Sequence, residues 1–169
     1  GGGFALSCWG RTYDFRGRLL PVRIQTEGEN ILTGPAGLKM KTENGSADLS
    51  AEGAVRVTSS TESHVEWEGS AQTQGVNVET DGWADFDGFM WFHFTVRPTG
   101  RGGVGPLYLE IPLKSQWSTL VNSYSYSLTG TGATPPDGME RRAGNLWLGN
   151  EDGGLQWLAP PKQDWLLAE

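Results

Sequence analysis

The chain has 169 residues, enough for one domain that buries a core without disulfide or metal staples. Its 20 acidic and 13 basic residues give a net charge of −7, which argues against nucleic acid and anionic membrane surfaces and leaves a neutral ligand open. Hydrophobic residues other than glycine make up 37%, while 25 glycines and eight tryptophans favour turns and strands over helices.

Read in chain order, the sequence alternates almost everywhere, and no window carries the i, i+3, i+4, i+7 stripe of a helix. Phe4–Trp9 and Arg11–Phe15 are predicted strands about a glycine corner. Leu20–Thr26 and Leu38–Thr42 follow, separated by turns at Gly28-Glu29-Asn30 and Thr33-Gly34-Pro35. Ala54–Ser60 puts Val55 and Val57 on one face. His64–Gln72, Gly75–Ala84, Gly88–Arg97 and Pro106–Leu113 then read as a four-stranded antiparallel meander, ending at Pro112. Ser123–Ser127 alternates like a strand, and Thr129–Gly138, with its glycines and Pro-Pro pair, reads as a loop. Leu146–Gly149 and Gly154–Ala159 make a hairpin about an acidic, glycine-rich turn.

Many short strands and no helices predict an all-β fold, an antiparallel β-sandwich of two packed sheets, as one domain over residues 1–169. The single cysteine, Cys8, lies in the apolar run Phe4–Trp9 and reads as a small buried hydrophobe. No apolar stretch reaches the ~18–20 residues of a membrane helix, and no signal peptide is visible.

Several segments carry a resemblance. They are Trp9-Gly10-Arg11-Thr12-Tyr13-Asp14-Phe15, Leu20-Pro21, Ile31-Leu32-Thr33-Gly34-Pro35, Trp83-Ala84-Asp85-Phe86-Asp87-Gly88-Phe89-Met90 and Leu109-Glu110-Ile111-Pro112-Leu113-Lys114. The last runs from Asn145 to Trp165 around Trp147-Leu148-Gly149-Asn150-Glu151-Asp152-Gly153-Gly154-Leu155-Gln156-Trp157. In this order they resemble the β-sandwich domain that precedes the catalytic barrel in glycoside hydrolases of the family 123 type. The resemblance implies a large sandwich of mutarotase-like or jelly-roll-like form, and a glycan as partner. In that family an Asp-Glu dyad in the barrel carries catalysis, and no residue here matches it. An accessory module, with an adjacent catalytic domain as a second partner, is therefore implied.

The meander supplies a candidate site. Met90, Phe92, Phe94 and Val96 share one face of Gly88–Arg97, leaving Trp91, His93, Thr95 and Arg97 on the other. Leu107, Leu109, Ile111 and Leu113 leave Tyr108 and Glu110 opposite them, while His64, Glu66 and Glu68, with Asn77, Glu79 and Asp81, add polar groups. A sugar stacks its C–H face on an indole or phenol and pairs its hydroxyls with carboxylates, amides and imidazoles. The expected contacts are thus Trp91, His93, Tyr108, Glu110, Glu66 and Asn77, with Trp117 and Trp157 as outer stacking platforms. The same face also suits plain solvent or an interdomain interface. Trp9, Trp67 and Trp147 follow the core pattern, and Trp165 reads as an interface anchor.

Asp85 and Asp87, and Glu151 and Asp152, fill turns. Paired acids can bind Ca²⁺, but Asp, Asn and Gly form turns without a metal, so no cofactor is expected. His93 with Glu110 is the kind of pair that moves protons on a sugar.

The expected function is carbohydrate binding by a non-catalytic module of a bacterial glycoside hydrolase, secreted or periplasmic. Two alternatives stay open: a purely structural domain packed on a catalytic barrel, and a mutarotase-like sugar enzyme using His93 and Glu110.

Overall fold

The computed structural model describes residues 2–125, 128–133 and 145–158. It forms two compact units, one ending at Pro112 and the other starting at Leu113.

Four short strands open the first unit: β1 (Ala5–Cys8), β2 (Arg11–Asp14), β3 (Arg23–Thr26) and β4 (Glu29–Asn30), paired in chain order. Next come β5 (Gly37–Thr42) and β6 (Gly45–Asp48). The longest strands follow, β7 (Gly53–Ser60), β8 (His64–Thr73), β9 (Val76–Asp85) and β10 (Met90–Pro98), in the sheet order β10-β9-β8-β7. The last strand, β11 (Leu107–Glu110), joins β5 and β6 in the order β11-β5-β6.

The second unit holds a 3₁₀ turn, Ser115–Trp117, and four strands: β12 (Leu120–Ser125), β13 (Leu128–Ala133), β14 (Asn145–Gly149) and β15 (Gly154–Leu158). Their order is β13-β12-β14-β15. Every pairing among the described strands is antiparallel. The fold is the expected all-β sandwich.

Turn chemistry sets the hairpins. In β1–β2 and β8–β9 the two loop residues both have positive φ: Trp9 (38°) with Gly10 (74°), and Gln74 (51°) with Gly75 (75°). This is the type I′ arrangement that matches strand twist, and glycine at the second position adopts it without steric cost.

The core of the first unit forms where β7–β10 packs on the sheet that begins the chain. Phe4 and Phe15, which flank β1 and β2, stack at 4.5 Å. Both rings meet Trp67 of β8, at 5.6 and 5.4 Å, and Trp67 meets Phe92 of β10 at 5.4 Å. Trp67, Phe15, Leu19, Ile31, Leu32, Leu49, Val76 and Val78 are almost fully buried. Burying an aromatic or branched side chain stabilises the fold by roughly 1.5–3 kcal/mol.

A polar brace stands beside β6. Asp48 accepts hydrogen bonds from Arg18 (2.6 Å), from the Ser50 hydroxyl (2.8 Å) and from the Ser50 amide (3.0 Å). Burial alone would raise the Asp48 carboxyl, but these bonds outweigh it and hold the group below its usual value.

Four expectations need correction. The run Pro106–Leu113 does not extend the meander, because β11 pairs with β5 through Leu107↔Met40, Tyr108↔Lys39, Leu109↔Leu38 and Glu110↔Gly37. The meander is instead completed by β7 on the far side of β8. Within Leu20–Thr26 only Arg23–Thr26 is strand. The predicted loop Thr129–Gly138 starts inside β13, and its part beyond residue 133 lies outside the described residues. Trp9, expected in the core, is 74% exposed, because the turn that reverses β1 into β2 carries its side chain outward.

Candidate functional site

The site rises from the alternation of the four long strands. The inward residues of β10, β9 and β8, such as Phe92, Val78 and Trp67, face the first sheet. The residues between them form the outer face, and cross-strand register arranges these in rows. One row holds Trp91 opposite Trp83, Trp83 opposite Glu66 and Glu66 opposite Ser59. The next holds His93, Asp81, Glu68 and Arg56. Farther along lie Thr95, Glu79 and Ser70, then Arg97, Asn77 and Gln72.

Gly82 lets this face and the core coexist. A Cβ there would stand 2.6 Å from Trp67 Cζ2 and 2.8 Å from the Trp91 carbonyl oxygen. The missing side chain makes room for the Trp67 ring against the backbone of β9, on the core side of the sheet.

The polar groups are held in pairs. His93 Nδ1 lies 2.9 Å from Asp81 Oδ1, Arg56 donates to Glu68 at 2.6 Å, and Arg97 donates to Glu79 at 2.6 Å. At the β9–β10 end, His64 Nδ1 lies 2.7 Å from Asp85 Oδ1, with Nε2 3.5 Å from Glu66 Oε1. The hydrogen bond to Asp85, helped by the Asp85 and Glu66 charges, raises the His64 pKa above its usual value. The imidazole stacks on Trp83 at 5.6 Å, and Phe89 meets Trp83 at 5.5 Å.

Trp91 remains 39% exposed. Between β7 and β9 the face dips into a shallow, open depression of about 240 Å³ bordered by Thr58, Glu66, Glu68, Asp81 and Trp83. The β7–β8 register shifts between Val57 and Ser59, so Thr58 is the extra residue of a bulge.

Trp91, His93, Glu66 and Asn77 therefore share one face, as the alternation implied. Tyr108 and Glu110 do not join them: both are on β11, in the sheet of β5 and β6. His93 is paired with Asp81, not with Glu110. Trp117 is only 5% exposed, which leaves it no open ring face for stacking. Trp157, 38% exposed, is on β15 in the second unit, opposite Leu146. Trp165 lies outside the described residues.

The sequence reading left Trp83 out of the site. Yet Trp83 follows Asn77, Glu79 and Asp81 at period two, so alternation alone puts it on the outer face. Arg56 carries no comparable signal, because only the β7–β8 register brings it to Glu68.

The turn acids have local partners. Asp87 Oδ1 accepts the Phe89 amide at 2.9 Å, and Arg11 donates to the Asp87 carbonyl at 3.0 Å. In the β14–β15 turn, Asn150 Oδ1 accepts the amides of Asp152 and Gly153 at 2.9 and 3.0 Å, so Glu151 and Asp152 ride on a turn organised by Asn150. Among the described residues no group of three or more His, Cys, Asp or Glu could hold a metal ion. Burial pushes the Cys8 thiol up, against the opposing Arg11 charge, which disfavours a nucleophilic thiolate.

Residues 3–159 match the family described as glycoside hydrolase 123, third domain, and the chain belongs to that family. It is a glycoside hydrolase-associated domain. Comparison with curated proteins and with solved structures returns no match.

Proposed function

We propose that this glycoside hydrolase 123 third domain is a non-catalytic accessory module that binds glycan through the outer face of β7–β10. The observation that carries the reading is the exposed Trp91 indole, in one row with Trp83 and Glu66 and next to the His93–Asp81 pair. An indole face stacks on the apolar face of a sugar ring, and paired carboxylates and imidazoles at its border accept and donate to hydroxyls. The side chains in ion pairs are already oriented, which lowers the entropy cost of binding.

The family match runs through both compact units, which supports treating the chain as one module of its parent hydrolase. The same reading takes the sandwich to be galactose-mutarotase-like, the parent to be a secreted or periplasmic bacterial enzyme, and an adjacent catalytic domain to be a partner. It needs no metal or cofactor. The mutarotase-like alternative is not favoured, since His93 and Glu110 sit in different sheets.

A second reading, a structural domain packed on a catalytic barrel, draws on a different surface. Trp9 and Phe86, 74% and 54% exposed, meet edge-on at 5.6 Å at the tips of two hairpins. Exposed aromatics in contact suit an interface anchor.

The deciding experiment is a broad glycan array followed by tryptophan fluorescence titration of any hit. Saturable binding by the native chain and its loss in a folded Trp91→Ala variant are expected. A blank array with folded protein, or a variant that binds unchanged, removes the proposal and favours the structural reading.

A further inference from the structure

We propose that the outer face of β7–β10 is an open cleft that takes the interior of a linear oligosaccharide laid across the strands, not a seat for one terminal sugar. This deepens the glycan reading and rests on it.

The register gives the direction. The aromatic row and the polar row both run across the sheet, from β10 to β7. Neighbouring strands lie about 4.8 Å apart, so each row extends about 14 Å. That exceeds a single pyranose ring. Along the strands the two rows are two residues apart, about 7 Å, and the depression that opens between Trp83 and Glu66 on one side and Asp81 and Glu68 on the other marks a band between them. A chain in this band meets Trp91 and Trp83 along one edge and His93, Asp81, Glu68 and Arg56 along the other.

The features that would contact sugar are also spread out. Trp91 is on the edge strand β10, whereas Thr58 and Glu68 border the depression toward the opposite edge. The β7 bulge supplies Thr58 at that position, a common use of a bulge to re-aim a side chain. One monosaccharide cannot reach both ends.

Finally, among the described residues of the first unit, neither end of the band is walled. Strands β10 and β7 are the edges of their sheet. The residues at those ends stand in solvent, with His93 62% and Arg56 70% exposed. Recognition of a chain terminus needs enclosure that reads the terminal hydroxyls. An open band instead lets the chain continue in both directions.

The test titrates the native chain with ladders of β-linked gluco-, galacto- and N-acetylglucosamine oligosaccharides, from monosaccharide to hexasaccharide. For the ladder that binds, affinity should climb with length and the tetrasaccharide should bind about tenfold or more tighter than the monosaccharide. Arg56→Ala and Thr58→Ala should weaken the tetrasaccharide several-fold and leave shorter sugars unchanged, while Trp91→Ala weakens every length. Equal affinity for monosaccharide and tetrasaccharide, or equal loss at all lengths in Arg56→Ala, overturns the open-cleft assignment even if Trp91→Ala still abolishes binding. Failure of every ladder and of the array overturns both proposals. Circular dichroism confirms that each variant is folded.

Discussion

The two faces of the β7–β10 sheet are made by the same strands and the same hydrogen bonds, yet they do opposite work. The inner face gathers Trp67 and Phe92 against Phe4 and Phe15, and Val76 and Val78 are buried on the same side. The outer face carries Trp91, Trp83, two Arg–Glu ion pairs and the histidine–carboxylate contacts of His64 and His93. An indole on one side is therefore sealed in the core, while an indole on the other stays partly exposed. The difference teaches that residue type does not assign a tryptophan its role; the side of the sheet does.

Substitutions can break this contrast, and the largest effect is expected inside. Trp67→Ala should cost about 3–5 kcal/mol, since it removes the ring that Phe4, Phe15 and Phe92 surround. Urea unfolding followed by circular dichroism measures it. Gly82→Ala joins the two faces. Its new methyl must displace Trp67 or the β10 backbone, so a loss of about 1–3 kcal/mol is expected. A neutral result in the same unfolding experiment means that the sheet yields at this point.

Trp91→Ala should do the reverse of Trp67→Ala. Its cost in stability should be about 1 kcal/mol or less, while glycan affinity falls about tenfold or more. Comparable losses of stability in the two variants erase the distinction between the faces.

The smallest effect concerns His64. Its pKa lies above 6.5 in the folded protein because of Asp85 and Glu66. Its stabilising contribution is therefore complete below pH 6.5 and disappears as pH rises through the folded value. The group is exposed, so the change is small. Thermal unfolding across neutral pH should show a shallow decline in the native chain that His64→Gln flattens. Identical pH profiles in the two proteins remove His64 as the source.

Much of this was legible from residue order. Period-two alternation sorted Gly88–Arg97 correctly, sending Phe92 inward and Trp91 and His93 outward. Turn residues marked the hairpins, and the ordered motifs pointed to the family that the match establishes. Strand neighbours were not legible. Leu107, Leu109 and Ile111 give β11 an apolar side whether it pairs with β10 or with β5. The loop from Thr99 to Gly105 is long enough for either route, so Tyr108 and Glu110 were assigned to the wrong sheet. Trp9 and Trp117 misled for a related reason. Both sit at turns, where alternation stops and local contacts decide whether a ring turns inward or outward.

The sequence by itself determined the class of fold, the two sides of each long strand and the family. These follow from the covalent alternation of side chains along an extended backbone and from which residues tolerate turns. Only the tertiary structure decided that β7 completes the meander, that Trp83 and Arg56 belong to the outer face, and that His93 pairs with Asp81. Strand pairing is made by backbone amides and carbonyls that nearly every residue carries. A strand's own sequence therefore says which side is apolar without saying which strand lies beside it.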